Sequence, residues 1–193
     1  VGTLACYRRP GQRWTFFEID PLVVDYSREG IFTYVRECAP AADMVVGDAR
    51  VRLAEGAADR YDLLAVDAFS SDSIPLHLLT TEAMATYRRS LAPGGVLLVH
   101  ISNRYIDLEP SLAALADASG MAAMIRRDNP EGGWPLTSSW WVALAEDQAT
   151  LETLSRSTEQ PWYRLRNDGR EAWTDSHASI LPYIEWGEVF SAK

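Results

Sequence analysis

Short apolar runs alternate along this chain with segments of helical spacing, and this alternation limits the fold more than any other feature. Four of the runs, at 14–19, 44–46, 63–66 and 96–101, are predicted strands. Strands that alternate with helices are joined by crossover connections, which place them in a mostly parallel sheet. We therefore predict a doubly wound α/β fold in which these four are neighbouring strands.

The last two predicted strands break the alternation. They lie at 122–127 and 139–144, and a loop containing Pro and Gly at 129–135 joins them without a helix. Such a connection favours an antiparallel strand at or near one edge of the sheet. This order of elements is that of the Rossmann-like class I S-adenosylmethionine-dependent methyltransferase fold. The first strand and most of its glycine-rich turn are expected to be missing, and residues 1–193 are expected to form one domain.

Helix boundaries are indicated by capping residues. Asp20 followed by Pro21 predicts the start of a helix over 22–35 that is interrupted near Gly30. Thr80 or Thr81 predicts the start of the helix at 79–91. Further helices are expected at 106–119 and 148–155.

Charge and cysteine content exclude several classes of function. The formal net charge of −9 argues against a nucleic-acid partner, because binding phosphates needs a basic surface, but it suits a cationic substrate. Cys6 and Cys38 are the only cysteines, so neither a disulfide framework nor a cysteine-rich metal site is expected. The three histidines lack metal-ligand spacing, and no metal is expected. We expect a soluble chain in a reducing, cytoplasmic compartment.

Acidic residues close three of the predicted strands. Glu18 ends the first strand, Asp48 follows the second, and Asp67 follows the apolar run at 63–66. Ligands of open α/β sheets bind at the carboxyl ends of the strands, so the spacing predicts three carboxylates around one crevice. A carboxylate after a glycine turn and a strand can accept both ribose hydroxyls, and Glu18 has this position relative to Gly2. The alternative is that these acids cap helices or are solvated.

Several stretches of the chain carry a family resemblance. These are TFFEIDP, VVGDAR, YDLLAVDAFSSDSIPLHLLTTEA and LAPGGVLLVHISNRYIDLEP. They resemble the catalytic domain of the spermidine synthase (polyamine aminopropyltransferase) family, and most closely the type fused to a membrane transporter-like region. The resemblance covers most of the chain and is most specific from Asp67 to Glu82.

The resemblance implies binding of S-adenosylmethionine or its decarboxylated form as co-substrate. Glu18 would hold the ribose hydroxyls, and Asp48 with Ala49 would contact the adenine. The full set of nucleoside-binding positions that it implies is Gly2, Thr3, Glu18, Ile19, Asp48 and Ala49.

The same resemblance places Asp67 at the position of the catalytic aspartate. Members of the family carry a tight Asp-x-x-Asp-Pro at this strand end, whereas here Asp67 is followed by Ala-Phe-Ser-Ser-Asp. By this resemblance, Asp72 would take the place of the second catalytic acid. The family's N-terminal β-hairpin domain, which helps to close the polyamine site, is not found in the sequence.

The predicted function is transfer of an aminopropyl group from decarboxylated S-adenosylmethionine to an amine such as putrescine. Methyl transfer from S-adenosylmethionine is the alternative on the same fold. A third interpretation is a non-catalytic nucleoside-binding domain of a larger membrane protein. A homodimer and a membrane domain in the longer protein are further expectations. His100, just past an apolar strand, is interpreted as a hydrogen-bonded core histidine rather than a catalyst.

Overall fold

The computed structural model describes residues 2–56, 61–68, 75–103, 105–130 and 138–191. They fall into two compact units, residues 1–57 and residues 58–193, and each unit is described by itself. The expectation of one domain stays a prediction.

The first unit contains a two-stranded parallel sheet. Strand β1 is Thr15–Glu18 and strand β2 is Asp43–Val46, with Phe16 opposite Met44 in the register. The helices of this unit are α1 (Pro21–Glu29), α2 (Thr33–Cys38) and α3 (Ala49–Glu55), preceded by a 3₁₀ helix at Thr3–Tyr7.

The predicted interruption at Gly30 is confirmed. Gly30 has φ +83° and its N–H donates to the carbonyl of Tyr26, which closes α1 in the left-handed conformation that glycine adopts readily. The predicted cap is confirmed as well, because Asp20 accepts the N–H of Leu22 through its side chain. One predicted helix is therefore two.

The two cysteines form a disulfide, Cys6–Cys38, where no disulfide framework was expected. The 3₁₀ helix that carries Cys6 lies against α2, which ends at Cys38. This contact joins residues 32 positions apart, so the number of cysteines in the sequence does not predict it.

The second unit contains a five-stranded sheet in the order β3-β4-β6-β5-β7. Its strands are Tyr61–Val66 (β3), Leu91–His100 (β4), Ala122–Asp128 (β5), Ser139–Ala145 (β6) and Tyr163–Arg164 (β7). Strand β3 is parallel to β4, whereas β6 runs antiparallel to both β4 and β5. The predicted antiparallel pairing of the last two predicted strands is thus confirmed, but β6 is the middle strand of this sheet rather than a strand near its edge.

The pairings β1–β2 and β3–β4 are both parallel, as predicted. They belong to separate ladders in the two units, so the continuous run of four neighbouring strands stays a prediction.

Strand β4 begins five residues earlier than predicted, at Leu91. The register of β4 against β3 shifts between Tyr61 and Leu63 to absorb the extra residues. A Cβ atom at Gly95 would lie 2.8 Å from the carbonyl oxygen of Tyr61. Glycine is therefore required where the two backbones approach most closely.

Three helices pack against this sheet: α4 (Thr81–Ser90), α5 (Glu109–Ala118) and α6 (Gln148–Arg156). A short helix, α7, lies at Trp186–Ser191. Leu151 of α6 packs with Met124, Ala143 and the partly buried Leu98. The intervening positions of the strands are fully buried, at Leu97, Val99, Val142 and Leu144. Short 3₁₀ helices lie at Leu76–Leu78 and Leu181–Tyr183.

The N-terminus of α4 holds the C-terminal segment of the chain. Thr80 caps the helix at Ala83 N–H, and its hydroxyl also donates to Asp175 Oδ1 at 2.8 Å. Asp175 N–H donates to Glu82 Oε2 at 3.0 Å. The Glu82 carboxylate accepts hydrogen bonds from its own backbone N–H and from the N–H of Asp175, and these bonds lower its pKa. The stabilisation of the folded state that accompanies the lowered pKa is present above the ordinary carboxyl pKa and is lost as pH falls through the lowered pKa.

None of the described helices combines the length and the apolar character that a bilayer crossing demands.

Replacing Thr80 should test this attachment. Thr80→Ala removes the cap and the bond to Asp175 from a buried position, and we expect a loss of about 1–2 kcal/mol in the free energy of unfolding. Thr80→Ser keeps the hydroxyl and should lose much less. Urea unfolding of the three proteins measures the difference, and equal losses for both variants would show that the hydroxyl contributes little.

Candidate active site

The parallel register of β3 and β4 brings two polar side chains to one end of the sheet. Val66 and Val99 are opposite each other, so the next residues, Asp67 and His100, reach the same level at the carboxyl ends of their strands. His100 Nδ1 lies 2.8 Å from Asp67 Oδ1. Ligands bind at this end of parallel strands, and Asp67 was predicted there.

Both groups of this pair are accessible. The side chain of Asp67 is 36% exposed and that of His100 is 22% exposed. His100 is hydrogen-bonded as interpreted, but it is partly exposed rather than fully buried in the core. The sequence signal for His100 was its position at the end of an apolar strand that pairs with the strand leading to Asp67.

The second ring nitrogen of His100 also has a partner. His100 Nε2 lies 2.9 Å from the hydroxyl oxygen of Ser102. That oxygen accepts the backbone N–H of Trp140 at 2.7 Å. Ser102 thus links the imidazole to the beginning of β6.

Trp141 covers one face of the imidazole. It is opposite His100 in the antiparallel register, with ring centroids 4.8 Å apart and an angle of 27° between the planes. Its indole Nε1–H donates to Ser139 Oγ at 2.9 Å. The imidazole is therefore held at both nitrogens and on one face.

Cationic side chains at the same end of the sheet are paired with acids. Arg126, opposite Trp141, donates to Asp128 at 2.8 and 3.0 Å. Arg127 pairs with Glu109 and lies over the ring of Trp140, 5.5 Å from its centroid. These guanidinium groups have acidic partners at close range.

The loop after β4 is stabilised by Asn103. Its Oδ1 atom accepts the backbone N–H groups of Tyr105 and Ile106 at 2.9 and 3.0 Å. Its Nδ2 atom is buried and makes no hydrogen bond to the described residues. Asn103 thus restrains the backbone of Tyr105 and Ile106 next to the site.

Glu18 and Asp48 both lie at the carboxyl end of the first unit's sheet. Glu18 ends β1 opposite Val46, and the N–H of Gly47 donates to the Glu18 carbonyl at 2.9 Å. The Glu18 carboxylate accepts Asp20 N–H at 3.0 Å. Ile19, between them, is 67% exposed. The predicted placement of Glu18 and Asp48 at the carboxyl ends of two neighbouring strands is observed, whereas the crevice of three acids stays a prediction.

Asp48 has the structural role that was weighed against ligand binding. Its Oδ1 atom accepts the N–H of Val51 at 3.0 Å and caps α3, whose first residue is Ala49. The cap uses one oxygen of the carboxylate.

Gly2 is the N-cap of the first 3₁₀ helix and has φ +91°. Thr3 is the first residue of that helix. A Cβ atom at Gly2 would lie 2.4 Å from Val35 Cγ2. Packing therefore demands glycine here independently of any nucleotide.

Asp72, the predicted second catalytic acid, lies outside the described residues. No cluster of three or more potential metal ligands occurs among the residues that the structure covers.

Comparisons with known proteins identify relatives of part of the chain. No family model matches. The probable polyamine aminopropyl transferase of Bifidobacterium longum (strain NCC 2705) is 33% identical over 93 residues, which is 48% of this chain and 20% of that protein. This chain therefore spans about a fifth of the curated relative.

Two solved structures have a similar fold. A probable spermidine synthase from Corynebacterium glutamicum ATCC 13032 matches with TM-score 0.55 and 20% identity, over 86% of this chain and 64% of that one. Spermidine synthase from Thermotoga maritima matches with TM-score 0.52 and 12% identity, over 79% and 51%. The predicted class I S-adenosylmethionine-dependent methyltransferase-like fold is confirmed.

The packing at Gly2 can be tested by substitution. Gly2→Ala combines a left-handed φ with a steric overlap. Gly11→Ala is the matched control, because Gly11 has φ +85° but no atom lies within 4 Å of an added Cβ. Backbone strain should cost each variant roughly 1–2 kcal/mol of unfolding free energy, and overpacking should cost Gly2→Ala about 1–3 kcal/mol more. Thermal unfolding of both variants measures this, and equal losses would mean that Val35 moves aside without cost.

Proposed function

We propose that this chain is a catalytic domain that transfers an aminopropyl group from decarboxylated S-adenosylmethionine to a small amine such as putrescine. The observation that carries the proposal is Asp67, a partly exposed carboxylate at the carboxyl end of a parallel strand. The sequence similarity to a protein described as a polyamine aminopropyl transferase and the shared fold support it.

The reaction needs little covalent assistance from the protein. The lone pair of a neutral amine attacks the methylene carbon bonded to the sulfonium, and the carbon–sulfur electron pair leaves on sulfur as a neutral thioether. The new ammonium group then gives one proton to Asp67. The protein's task is to position the amine and to accept this proton.

Charge favours a cationic acceptor. The formal net charge of −9 attracts polyamines, and Asp67 offers a local anion where the amine must bind. Asp72 is proposed as the second acid that binds the amine.

The nucleoside is proposed to lie against the first unit. Glu18 would accept the ribose hydroxyls, since one carboxylate can bind both. Asp48 and Ala49 would contact the adenine, with Gly2, Thr3 and Ile19 lining the same site.

A cytoplasmic location, a homodimer and a membrane domain in a longer protein remain predictions. The Cys6–Cys38 disulfide is uncommon for a cytosolic protein.

The Glu18→Ala variant tests the nucleoside site. Loss of hydrogen bonds to a charged group should weaken binding of methylthioadenosine by about 1.5–3 kcal/mol. Calorimetry measures the affinity, with Glu29→Ala, at the end of α1, as a control for loss of one acid. Unchanged affinity in Glu18→Ala would mean that the ribose is held elsewhere.

The Asp67→Asn variant tests the proposed proton acceptor. It keeps the size of the side chain and an acceptor for His100, but it loses the negative charge and most of the basicity. Turnover should fall by roughly two to four orders of magnitude, whereas methylthioadenosine affinity and melting temperature should change little.

Substrate assays decide the reaction. Aminopropyl product from decarboxylated S-adenosylmethionine supports the proposal, and methylated amine formed from S-adenosylmethionine would replace it with methyl transfer. A folded Asp67→Asn variant with near-normal turnover would end the catalytic assignment.

A further inference from the structure

The hydrogen bonds around His100 select one tautomer of its imidazole. An ionised Asp67 can only accept, so His100 Nδ1 must be the donor across the 2.8 Å contact. The Ser102 oxygen already accepts the N–H of Trp140, and its own hydroxyl hydrogen is available for His100 Nε2. A neutral imidazole protonated at Nδ1 therefore satisfies every donor and acceptor in this chain of contacts.

The plane of the ring is restrained as well. Trp141 stacks on the imidazole, and the bond from its indole to Ser139 fixes Trp141 in turn. Rotation of the His100 ring would break both nitrogen contacts and the stacking together. The Nδ1–H group is thus aimed at Asp67 before any substrate binds.

We propose that His100 is a positioning residue, which fixes the Asp67 carboxylate so that its second oxygen receives the amine's proton. This inference rests on the proposed aminopropyl transfer. His100 occupies Oδ1, and no described residue makes a hydrogen bond to Oδ2. In the proton-transfer step the ammonium N–H bond breaks and an O–H bond forms at Oδ2. The imidazole neither gains nor loses a proton.

The order of groups Ser102–His100–Asp67 also matches a nucleophile, a base and an orienting acid. Ser102 is less suited to attack, because its oxygen accepts the Trp140 N–H at 2.7 Å and bridges β4 to β6. The same bond suits it to hold the imidazole. Positioning of Asp67 is therefore the role that the contacts favour.

Substitution of His100 separates positioning from charge. Asn carries its side-chain NH₂ group at the place of Nδ1, so His100→Asn keeps a donor to Asp67, whereas His100→Ala removes it. We expect turnover of His100→Ala to fall about ten- to a hundredfold, the range that loss of an orienting partner costs at metal sites. His100→Asn should recover most of the turnover. Methylthioadenosine affinity and melting temperature should stay near wild type in both.

The matched control is His177→Ala. His177 lies in the exposed C-terminal segment, where its backbone N–H binds Thr174, and loss of its imidazole should leave turnover unchanged.

Nitrogen-15 NMR of the imidazole supplies a readout that does not depend on activity. The resonances absent from His100→Asn identify His100 and should show the Nδ1–H tautomer in the wild type. Asp67→Ala should shift the population toward Nε2–H, because Ser102 can accept as well as donate.

Three results would overturn the positioning role. They are an Nε2–H tautomer in the wild type, normal turnover by a folded His100→Ala variant, and labelling of Ser102 by a fluorophosphonate ester. A wild-type protein that transfers no aminopropyl group to any amine would instead overturn the proposed function, so the two failures can be told apart.

Discussion

The parallel pairing of β3 with β4 is the constraint on which the candidate site depends. It brings Asp67 to His100 across 33 residues of sequence, because Val66 and Val99 are in register one step before them. The shift after Tyr61 sets that register, and Gly95 permits the close backbone approach that goes with it. A slip of one residue would turn either side chain to the opposite face and separate the pair.

The insertion of β6 between β4 and β5 completes the surroundings of His100. Because β6 runs antiparallel, its first residues lie beside the last residues of β4. Trp141 thereby stacks on the imidazole, and Trp140 N–H reaches Ser102. A parallel neighbour would present its carboxyl end there instead, and the contacts of Ser139, Trp140 and Trp141 would lie at the far end of the sheet.

Local signals in the sequence predicted much of the fold. Asp20 and Thr80 cap their helices as expected, and Gly30 interrupts the first helical segment, because each effect depends on neighbours within four residues. The start of β4 was missed, since Pro93 and Gly94 indicate a turn and lie in the register irregularity between Leu91, which pairs with Tyr61, and Val96. The Cys6–Cys38 bond was missed for a similar reason, as it follows from packing between two helices.

The sequence by itself determined where strands end and which of them end in acids, because apolar runs and turn residues are local properties. Glu18, Asp48 and Asp67 were found in this way. Only the tertiary structure decided what each acid contacts: Asp48 caps α3, whereas the Asp67 carboxylate lies at hydrogen-bond distance from His100. Strand order and register determine these contacts, because they bring together residues that are far apart in sequence. The local sequence around either residue does not indicate its partner.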